Sequence, residues 1–322
     1  MGARASVLVT GGAGYIGSHV VRQLDSLGVP TVVVDDLSTG DPLRLSRDVA
    51  RIDLADAQTV PGLVDLMREN HVVSVIHFAA KKRVDESVQF PLLYWRENIG
   101  GLNNLLEASA RSGINDFVFS SSAAVYGDVR DTRVTELTPT VPINPYGQSK
   151  LAGEWLLQSY ARAQSFRAVS LRYFNVVGSA DQVLSDRFPY NLFGQTFSRL
   201  GDNVSPTVFG ADYPTADGTC VRDFIHVEDL ARAHVDALQA LRSNRRHLAA
   251  YNLGTGSGYS VLQVLEEIRR CTGRPFDIEV AARRDGDPAS VVADPSAAMH
   301  DLKWTPRHGL TAMVESAWAG WQ

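Results

Sequence analysis

Cysteine is scarce in this sequence. Only Cys220 and Cys271 occur among the 322 residues, and they lie far apart in dissimilar contexts. Two such cysteines indicate neither a disulfide framework nor a metal site, and the eight histidines show no paired ligand spacing. We therefore predict no bound metal and a reducing, cytoplasmic compartment.

Long apolar runs and an excess of positive charge are also lacking. No hydrophobic stretch approaches the ~18 residues of a membrane-spanning helix. The net charge is −5, whereas a nucleic-acid-binding protein is expected to present a basic face. With 44% hydrophobic residues, the chain is long enough for one large or two moderate domains. We expect a globular protein that binds neither membranes nor nucleic acids.

A glycine-rich turn near the N-terminus is the first motif that indicates a function. Residues 6–10 predict a buried strand, and an apolar helical pattern follows the turn. In a strand–turn–helix unit, such glycines permit a tight turn, close approach of a pyrophosphate and close packing of helix on strand. The free amides at the helix start then face the phosphates. The cofactor-binding residues predicted here are Gly11, Gly14, Tyr15, Ile16 and Gly17.

An acidic pair closes the next predicted strand, residues 31–34. Asp35 follows the glycine turn at close to the ~20-residue spacing expected for the carboxylate that binds the adenosine ribose. A carboxylate at this place repels a 2′-phosphate, so the sequence favours NAD over NADP. Asp53 closes a short strand and is a candidate for the adenine, although an ordinary loop aspartate fits equally well. The second group of predicted cofactor contacts is Asp35, Asp36, Leu37, Ser38, Asp53 and Leu54.

Small residues follow the strand predicted over residues 72–78. At the carboxyl end of a parallel strand, small side chains let a cofactor lie close. Lys82 comes next and can reach the nicotinamide ribose or the phosphates, with an ordinary solvated lysine as the alternative. A long helix predicted over residues 92–112 carries Asn98. The third group of predicted cofactor contacts is Phe78, Ala79, Ala80, Lys82 and Asn98.

Tyr146 and Lys150 stand four residues apart in a segment predicted to be helical from Pro145 onward. Both side chains therefore rise from one helix face. A free phenol has a pKa near ~10, and a nearby ammonium group with a positively charged cofactor ring is expected to lower it toward neutrality. Ser122 ends a predicted strand, where its hydroxyl can bond the substrate oxygen. We predict Ser122, Tyr146 and Lys150 as catalytic residues and the last two as cofactor contacts.

Strands and helices alternate over the first ~175 residues, which predicts an α/β fold with a Rossmann-like, doubly wound parallel sheet. Beyond them the alternation fades, as expected for a smaller C-terminal substrate-binding lobe. We assign residues 1–175 to an NAD-binding domain and 176–322 to this lobe, with parts of about 221–255 packing back on the first domain. Within the lobe, residues 221–241 show a helical pattern, and Ser260 is predicted to cap another helix.

Taken together, the motifs resemble those of the extended short-chain dehydrogenase/reductase family. The resemblance covers almost the whole chain and is highly specific as a set, although no single motif is. Within the family, the chain is most similar to nucleotide-sugar 4-epimerases. Besides the glycine turn and the tyrosine–lysine pair, the motifs are Val34-Asp35-Asp36-Leu37-Ser38, Phe78-Ala79-Ala80, Ser120-Ser121-Ser122-Ala123-Ala124-Val125-Tyr126-Gly127, Arg172-Tyr173-Phe174-Asn175, Val208-Phe209-Gly210, residues 217–227, Tyr251-Asn252-Leu253-Gly254 and Arg283-Arg284-Asp285-Gly286-Asp287.

The resemblance implies a reaction, a cofactor and an assembly. The reaction is inversion of C4 in a nucleotide-diphosphate hexose through a transient 4-keto sugar, with UDP as the expected nucleotide. The cofactor is tightly bound NAD, and Phe174 joins its contacts. The assembly is a homodimer formed through two helices of the first domain.

The resemblance also implies a substrate site in the second half. Arg222 and Arg284 are diphosphate candidates by their own chemistry, because guanidinium groups form paired hydrogen bonds to phosphate oxygens, with surface ion pairs as the alternative. The diphosphate is expected at Asn175, Asn191 and Arg284, and the base beside Phe209. The predicted substrate-binding residues are Lys82, Ser122, Tyr146, Asn175, Asn191, Phe209, Arg222, Arg284 and Asp287.

Several other functions stay open at this point. Dehydratases of the family carry an Asp-Glu pair directly after the strand-end hydroxyl residue, where this chain has Ala123 and Ala124. Decarboxylases carry a nearby glutamate, which is also missing, and a simple dehydrogenase must exchange its cofactor. A non-catalytic nucleotide-sensing protein would be expected to lose the base, yet Tyr146 is present. Val291 falls where the family gates sugar size, so a UDP-N-acetylhexosamine, a UDP-uronic acid or another nucleotide remains an alternative.

Overall fold

The computed structural model describes residues 4–129, 133–243, 248–284 and 287–322. The strands are β1 (Ser6–Thr10), β2 (Thr31–Asp35), β3 (Ala50–Arg51), β4 (Val72–His77), β5 (Asp116–Ser120), β6 (Arg133–Val134), β7 (Arg167–Tyr173), β8 (Asn175–Val177), β9 (Thr207–Phe209), β10 (Val221–His226), β11 (Leu248–Leu253), β12 (Gly258–Ser260), β13 (Glu279–Ala281) and β14 (Ser290–Ala293). The α-helices are α1 (Tyr15–Ser26), α2 (Val60–Glu69), α3 (Val84–Gln89), α4 (Pro91–Tyr94), α5 (Gly101–Arg111), α6 (Pro145–Ala163), α7 (Leu192–Gly201), α8 (Val227–Arg242), α9 (Val261–Thr272), α10 (Ser296–Asp301) and α11 (Leu310–Trp321).

Seven parallel strands form the main sheet, in the order β11-β7-β5-β4-β1-β2-β3. The strand order reverses between β1 and β4, which is the topological switch point where such sheets bind ligands. The central strands are buried runs of apolar residues, as expected of strands covered by helices on both faces. The predicted α/β fold with a doubly wound parallel sheet is confirmed.

The second half of the chain contributes to this sheet. Strand β11 pairs with β7, so that Tyr251 lies opposite Leu171. Helix α8 packs against α1, β5 and β7. Residues 1–175 alone therefore do not complete the main sheet, because its last strand and one covering helix come from the later part of the sequence.

The helical pattern predicted over residues 221–241 is wrong for its first six residues. Those residues form β10, and α8 begins at Val227 with His226 as its cap. Valine, phenylalanine and isoleucine favour a pleated, buried surface, and β10 lies between β12 and β14 with β8 beside it. Pairing with these neighbours overrides the local helical pattern.

The smaller lobe is built around β10. Its core contains Phe197 of α7, Ile268 of α9 and Met313 of α11, all buried. Helix α9 begins with a capping box, in which Ser260 accepts from the backbone of Gln263 while the glutamine side chain bonds back to Ser260. The predicted cap at Ser260 is confirmed.

The helix predicted over residues 92–112 is interrupted by a wider turn. Helices α4 and α5 are joined by a π-helical segment, Trp95–Gly100, which contains Asn98. Such turns shift the helix face by one residue and are frequent at functional sites. Among the helices of the described residues, none combines the length and the apolar character needed to cross a membrane.

Candidate active site

A cleft opens at the carboxyl ends of β1, β2 and β4, at the switch point of the sheet. Both lobes contribute to its walls. The lining residues include Gly11, Gly14, Tyr15, Ile16, Gly17, Asp35, Asp36, Ser38, Arg44, Asp53, Leu54, Phe78, Ala79, Ala80, Lys81, Lys82, Arg83, Tyr146, Lys150, Tyr173, Asp186, Phe188 and Tyr190.

The glycine turn is packed so closely that side chains do not fit. A Cβ atom at Gly17 would lie 2.2 Å from the carbonyl oxygen of Gly11. Gly11 has φ +69°, and a Cβ there would lie 2.6 Å from the backbone nitrogen of Ala79. The turn thus packs against the end of β4, and the start of α1 lines the cleft. These residues fit the pyrophosphate of a dinucleotide.

The acidic end of β2 lies beside the turn. The carboxylate of Asp35 accepts the amide of Ala13 at 3.0 Å and the amide of Leu37 at 2.9 Å. Burial raises the pKa of Asp35, against these two hydrogen bonds, which lower it. Leu37 has φ +60°, and Asp36 accepts both the amide and the hydroxyl of Ser38. The loop therefore fixes a carboxylate where the ribose of a dinucleotide is expected.

The remaining predicted cofactor contacts divide into two sets. Phe78, Ala79, Ala80 and Lys82 line the cleft, as do Asp53 and Leu54. Asn98 differs, because its amide is engaged by the protein: it accepts the Lys81 amide at 2.8 Å and donates to the Lys81 carbonyl and the Ser149 hydroxyl. Asn98 therefore holds the segment after β4 against α6.

Phe174 also packs within the protein. Its side chain belongs to the buried cluster with Val125, Tyr126 and Leu151, and Val291 packs against the same cluster. Its amide donates to the carbonyl of Leu253. Phe174 therefore packs in the protein interior directly after the end of β7.

Two of the three predicted catalytic residues, Tyr146 and Lys150, line the cleft, and the third, Ser122, lies beside Tyr146. Asn144 caps α6 by accepting the Gly147 amide at 2.8 Å, so the helix begins at Pro145 as predicted. Tyr146 is 8% exposed and hydrogen-bonds with Ser122. The ammonium of Lys150 donates to the carbonyl of Ser120 at 2.9 Å and lies 6.0 Å from the centre of the Tyr146 ring.

Without a cofactor, the pKa of Tyr146 is not lowered, so its lowering by Lys150 together with a cofactor ring stays a prediction. Burial raises the pKa of Tyr146, outweighing the Ser122 hydrogen bond that lowers it. Burial also lowers the pKa of Lys150 from 10.5 to about 8. The ammonium instead bonds the backbone carbonyl of Ser120. A phenolate here therefore needs a further positive charge in the cleft.

A loop of the smaller lobe reaches over the glycine turn. The Tyr15 hydroxyl donates to the carbonyl of Gly178 at 2.5 Å, and Arg44 donates to the carbonyl of Ser185 at 2.9 Å. At the opposite wall, the guanidinium of Arg83 lies 4.5 Å from the centre of the Tyr190 ring. This loop narrows the cleft between the two lobes.

The predicted substrate residues of the smaller lobe form two groups. Arg222 pairs with Asp287 at 3.3 Å, and the guanidinium of Arg284 lies 3.8 Å from the centre of the Phe209 ring. Asn175 is exposed at the start of β8. Asn191 is exposed too, and its side chain caps α7 through the Gly194 amide. Asp285 and Gly286, from the last quoted motif, lie outside the described residues.

One cluster of potential metal ligands occurs within the described ranges: His226, Glu228 and His308, whose ligand atoms lie within 4.8 Å of one another. The two imidazole rings stack, with centroids 4.1 Å apart and planes 25° from parallel. Lone pairs in two nearly parallel planes do not converge on one ion. His226 instead accepts the Glu228 amide and bonds the Ser316 hydroxyl. The cluster joins α8 to the C-terminal segment.

Two features of the site escaped the sequence analysis. Tyr173 lines the cleft, and burial raises its pKa, as does its proximity to Tyr146. Glu154 and Arg172 form a buried ion pair beneath the catalytic residues, at 2.6 Å. A signal for Glu154 was present, since it follows Lys150 at the same four-residue spacing that separates Lys150 from Tyr146.

Known proteins resemble this chain over almost its whole length. A UDP-glucose 4-epimerase of Corynebacterium glutamicum is 42% identical over 320 residues, covering 97% of this chain and 94% of the relative. A crystal structure of UDP-glucose-4-epimerase from Stenotrophomonas maltophila, with bound NAD and formylated UDP-arabinopyranose, superposes with a TM-score of 0.93 at 41% identity, covering 98% and 97% of the two chains. The UDP-Glc/GlcNAc 4-epimerase of Campylobacter jejuni superposes with a TM-score of 0.86 at 37% identity, covering 98% of each.

The family comparison agrees with the site geometry. Residues 7–254 match the NAD dependent epimerase/dehydratase family. That span includes the glycine turn, the acidic end of β2 and the tyrosine–lysine helix. The chain therefore belongs to the NAD dependent epimerase/dehydratase family.

Proposed function

We propose that this protein is an NAD-dependent 4-epimerase that interconverts UDP-glucose and UDP-galactose through a transient 4-keto sugar. The observation that carries the proposal is that Tyr146, with Ser122 beside it, and Lys150 line the same cleft as the glycine turn and Asp35. The similarity to UDP-glucose 4-epimerases at about 40% identity over nearly the whole chain supports it.

NAD is the cofactor of the proposed reaction. The glycine turn would hold its pyrophosphate, and Asp35 would accept hydrogen bonds from its adenosine ribose. When bound, NAD supplies a reversible hydride acceptor and a positively charged ring. The walls contributed by both lobes, together with the loop anchored by Tyr15 and Arg44, support tight retention of the cofactor.

Tyr146 is the base of the proposed mechanism. Its phenol takes the proton of the sugar 4-hydroxyl and later returns it, while Ser122 holds the shared oxygen by a hydrogen bond. Lys150 adds positive charge beside the phenol ring. Because burial raises the pKa of Tyr146, proton removal depends on this charge together with that of the oxidised cofactor.

The nucleotide and diphosphate would be held by the smaller lobe. The guanidinium groups of Arg222 and Arg284 suit phosphate oxygens, and both are engaged by the protein without substrate, Arg222 with Asp287 and Arg284 with Phe209. Asn175 and Asn191 would complete the diphosphate site. Anchoring at the diphosphate leaves the keto sugar free to turn and present its other face, which inversion at C4 requires.

The decisive experiment incubates the purified protein with UDP-galactose and no added NAD, and follows products by NMR. Repeated turnover to UDP-glucose is expected, because an epimerase regenerates its oxidised cofactor in every cycle. A simple dehydrogenase stops after one turnover, and a dehydratase yields a 4-keto-6-deoxy sugar. Either result, or no reaction by NAD-loaded protein, contradicts the proposal.

A second candidate is a 4-epimerase that also accepts UDP-N-acetylhexosamines. Val291, the residue at the predicted size gate, packs, like Ala123, against the buried cluster that contains Phe174. A medium-sized aliphatic residue leaves more room than an aromatic one would. If UDP-N-acetylglucosamine is inert while UDP-galactose turns over well, this broader substrate range is wrong.

We propose that the protein works as a cytoplasmic homodimer. Large apolar side chains are exposed on α4, the adjoining π segment and the neighbouring α6, including Leu92 at 82%, Trp95 at 40% and Trp155 at 57%. A second copy would cover this surface through helices of the first domain. Cys220 and Cys271 are both free, which agrees with a reducing cytoplasm.

A further inference from the structure

Helix α6 carries three functional positions on one face. Tyr146, Lys150 and Glu154 are spaced four residues apart, so their side chains lie above one another. The end of β5 and the two residues after it, 120–122, run alongside this face. Ser120 and Ser121 each form a hydrogen bond with one of these helix residues, and Ser122 lies beside the third, Tyr146.

Glu154 forms the lowest of these contacts. Its Oε1 atom accepts the hydroxyl of Ser121 at 2.5 Å. One level higher, Lys150 donates to the carbonyl of Ser120. At the top, the phenol of Tyr146 meets Ser122. Glu154 therefore holds Ser121 in place. Ser121 directly precedes Ser122, the residue beside the proposed base Tyr146.

The carboxylate of Glu154 is itself held rigidly. Its side chain is 1% exposed, and Arg172 donates three hydrogen bonds to it: Nε to Oε1 at 2.9 Å and to Oε2 at 3.2 Å, and Nη2 to Oε2 at 2.6 Å. Although burial alone lowers the pKa of Arg172, the bonds and charge of Glu154 raise it above its ordinary value. A buried, bidentate ion pair of this kind fixes the position of the Glu154 carboxylate relative to Arg172.

The network extends to strands on both sides. Arg172 also donates to the hydroxyl of Tyr126 at 2.9 Å, and that hydroxyl donates to Asn252 at 2.7 Å. Tyr126 ends the short turn that follows Ser122, and Asn252 lies on β11. The ion pair thus joins α6, β7, β11 and the turn after β5 at a single point.

We propose that Glu154 is a positioning residue that, through Ser121, sets the register between the strand end carrying Ser122 and the helix carrying Tyr146 and Lys150. This inference rests on the proposed function, in which Ser122 and Tyr146 share the reacting oxygen. A purely structural ion pair would stabilise the fold without affecting the proton affinity of the phenol.

Ser121→Ala tests the inference most cleanly. Glu154→Gln would leave the buried guanidinium of Arg172 without a counter-charge and risks loss of folding. Ser121→Ala removes only the hydrogen bond between Ser121 and Glu154 and keeps the ion pair. The matched control is Ser109→Ala, because Ser109 is equally buried and its hydroxyl donates to Leu105 within α5, away from the site.

Two measurements follow on each protein as purified. With UDP-galactose, Ser121→Ala is expected to lower kcat about ten-fold with KM nearly unchanged, and to move the acid limb of kcat to higher pH. In 13C-tyrosine NMR, with Tyr146 assigned by its loss in Tyr146→Phe, Ser121→Ala should raise the pKa of Tyr146 by about one unit, because the Ser122 hydrogen bond that lowers it weakens.

The outcomes separate the two proposals. If Ser121→Ala leaves both kcat and the Tyr146 titration equal to those of Ser109→Ala, the positioning role is wrong. If the wild-type protein does not epimerise UDP-galactose, the proposed function fails, and the NMR titration still decides whether Glu154 controls the phenol. The inference is supported if the pKa of Tyr146 rises in Ser121→Ala and does not rise in Ser109→Ala.

Discussion

At the scale of single residues, burial governs the chemistry of the site. It raises the pKa of Tyr146 and lowers that of Lys150, so each group by itself favours its neutral form. The tyrosine–lysine spacing could be read from the sequence, but these directions could not. They depend on the depth of the two side chains and on the carbonyl of Ser120, which a linear pattern does not place.

Lys150→Met should stabilise the cofactor-free protein near pH 7. Below pH 8 the lysine is protonated in both the folded and unfolded states, and the folded state bears the full desolvation penalty, about 3 kcal/mol for a pKa lowered from 10.5 to about 8. Loss of the hydrogen bond to Ser120 offsets about 1 kcal/mol of that gain. Denaturant unfolding measures the difference.

The pH dependence identifies the cause. Between pH 8 and 10.5 the folded protein releases the Lys150 proton before the unfolded chain does, which relieves the penalty in the wild type. The advantage of Lys150→Met should therefore shrink as the pH rises toward 10. Lys303→Met, at an exposed position, is the control. A pH-independent advantage of Lys150→Met would show that desolvation of its charge is not the cause.

At the scale of elements, the glycine turn should tolerate no side chain. A Cβ at Gly17 would lie 2.2 Å from the Gly11 carbonyl oxygen, so Gly17→Ala must shift the turn against β4. Overpacking of this kind costs roughly 1–3 kcal/mol, equivalent to about five- to 150-fold in NAD affinity if the strain falls on the bound form. Equilibrium binding of NAD measures the loss.

Gly62→Ala provides the comparison for that variant. Gly62 lies in α2 with nothing within 4 Å of its Cβ position. Alanine there should leave NAD affinity unchanged and raise the helix stability by up to about 1 kcal/mol. If Gly17→Ala binds NAD as tightly as the wild type, close packing of the turn is not required for NAD binding.

The elements also show where sequence patterns suffice. The glycine turn, the cap at Ser260 and the start of α6 at Pro145 are local devices, and all were predicted. Strand β10 was taken for helix, because its identity depends on pairing with β8, β12 and β14, which come from distant parts of the chain. The π turn that contains Asn98 likewise depends on contacts with Lys81 and Ser149.

At the scale of the whole molecule, the two lobes are interdependent. The sheet is completed by β11 from the second half, and the ion pair of Glu154 and Arg172 joins four elements beneath the site. The sequence predicted the division at about residue 175 from fading periodicity. It could not give the contacts across that division, such as Tyr15 to Gly178, because they involve residues more than 160 positions apart.

Trp155→Glu should dissociate the proposed dimer. A charged side chain in place of a large aromatic anchor at a buried interface typically costs more than about 2 kcal/mol of binding free energy. Light scattering should report about twice the chain mass of 35.1 kDa for the wild type and the single-chain mass for the variant at micromolar concentration.

The control for the dimer is Val280→Glu, which alters an exposed apolar residue of β13 in the other lobe. It should keep the wild-type mass. A monomeric wild type, or a dimer undisturbed by Trp155→Glu, would contradict the predicted interface on α4 and α6.

The most direct test of the account concerns the phenol of Tyr146. Tyr146→Phe removes one oxygen and leaves the glycine turn and Asp35 in place, so the variant should retain NAD. Its turnover of UDP-galactose, followed by NMR without added NAD, should fall by about 10²-fold or more. Near-wild-type turnover in an NAD-loaded Tyr146→Phe protein would contradict the central claim that this phenol moves the proton of the sugar.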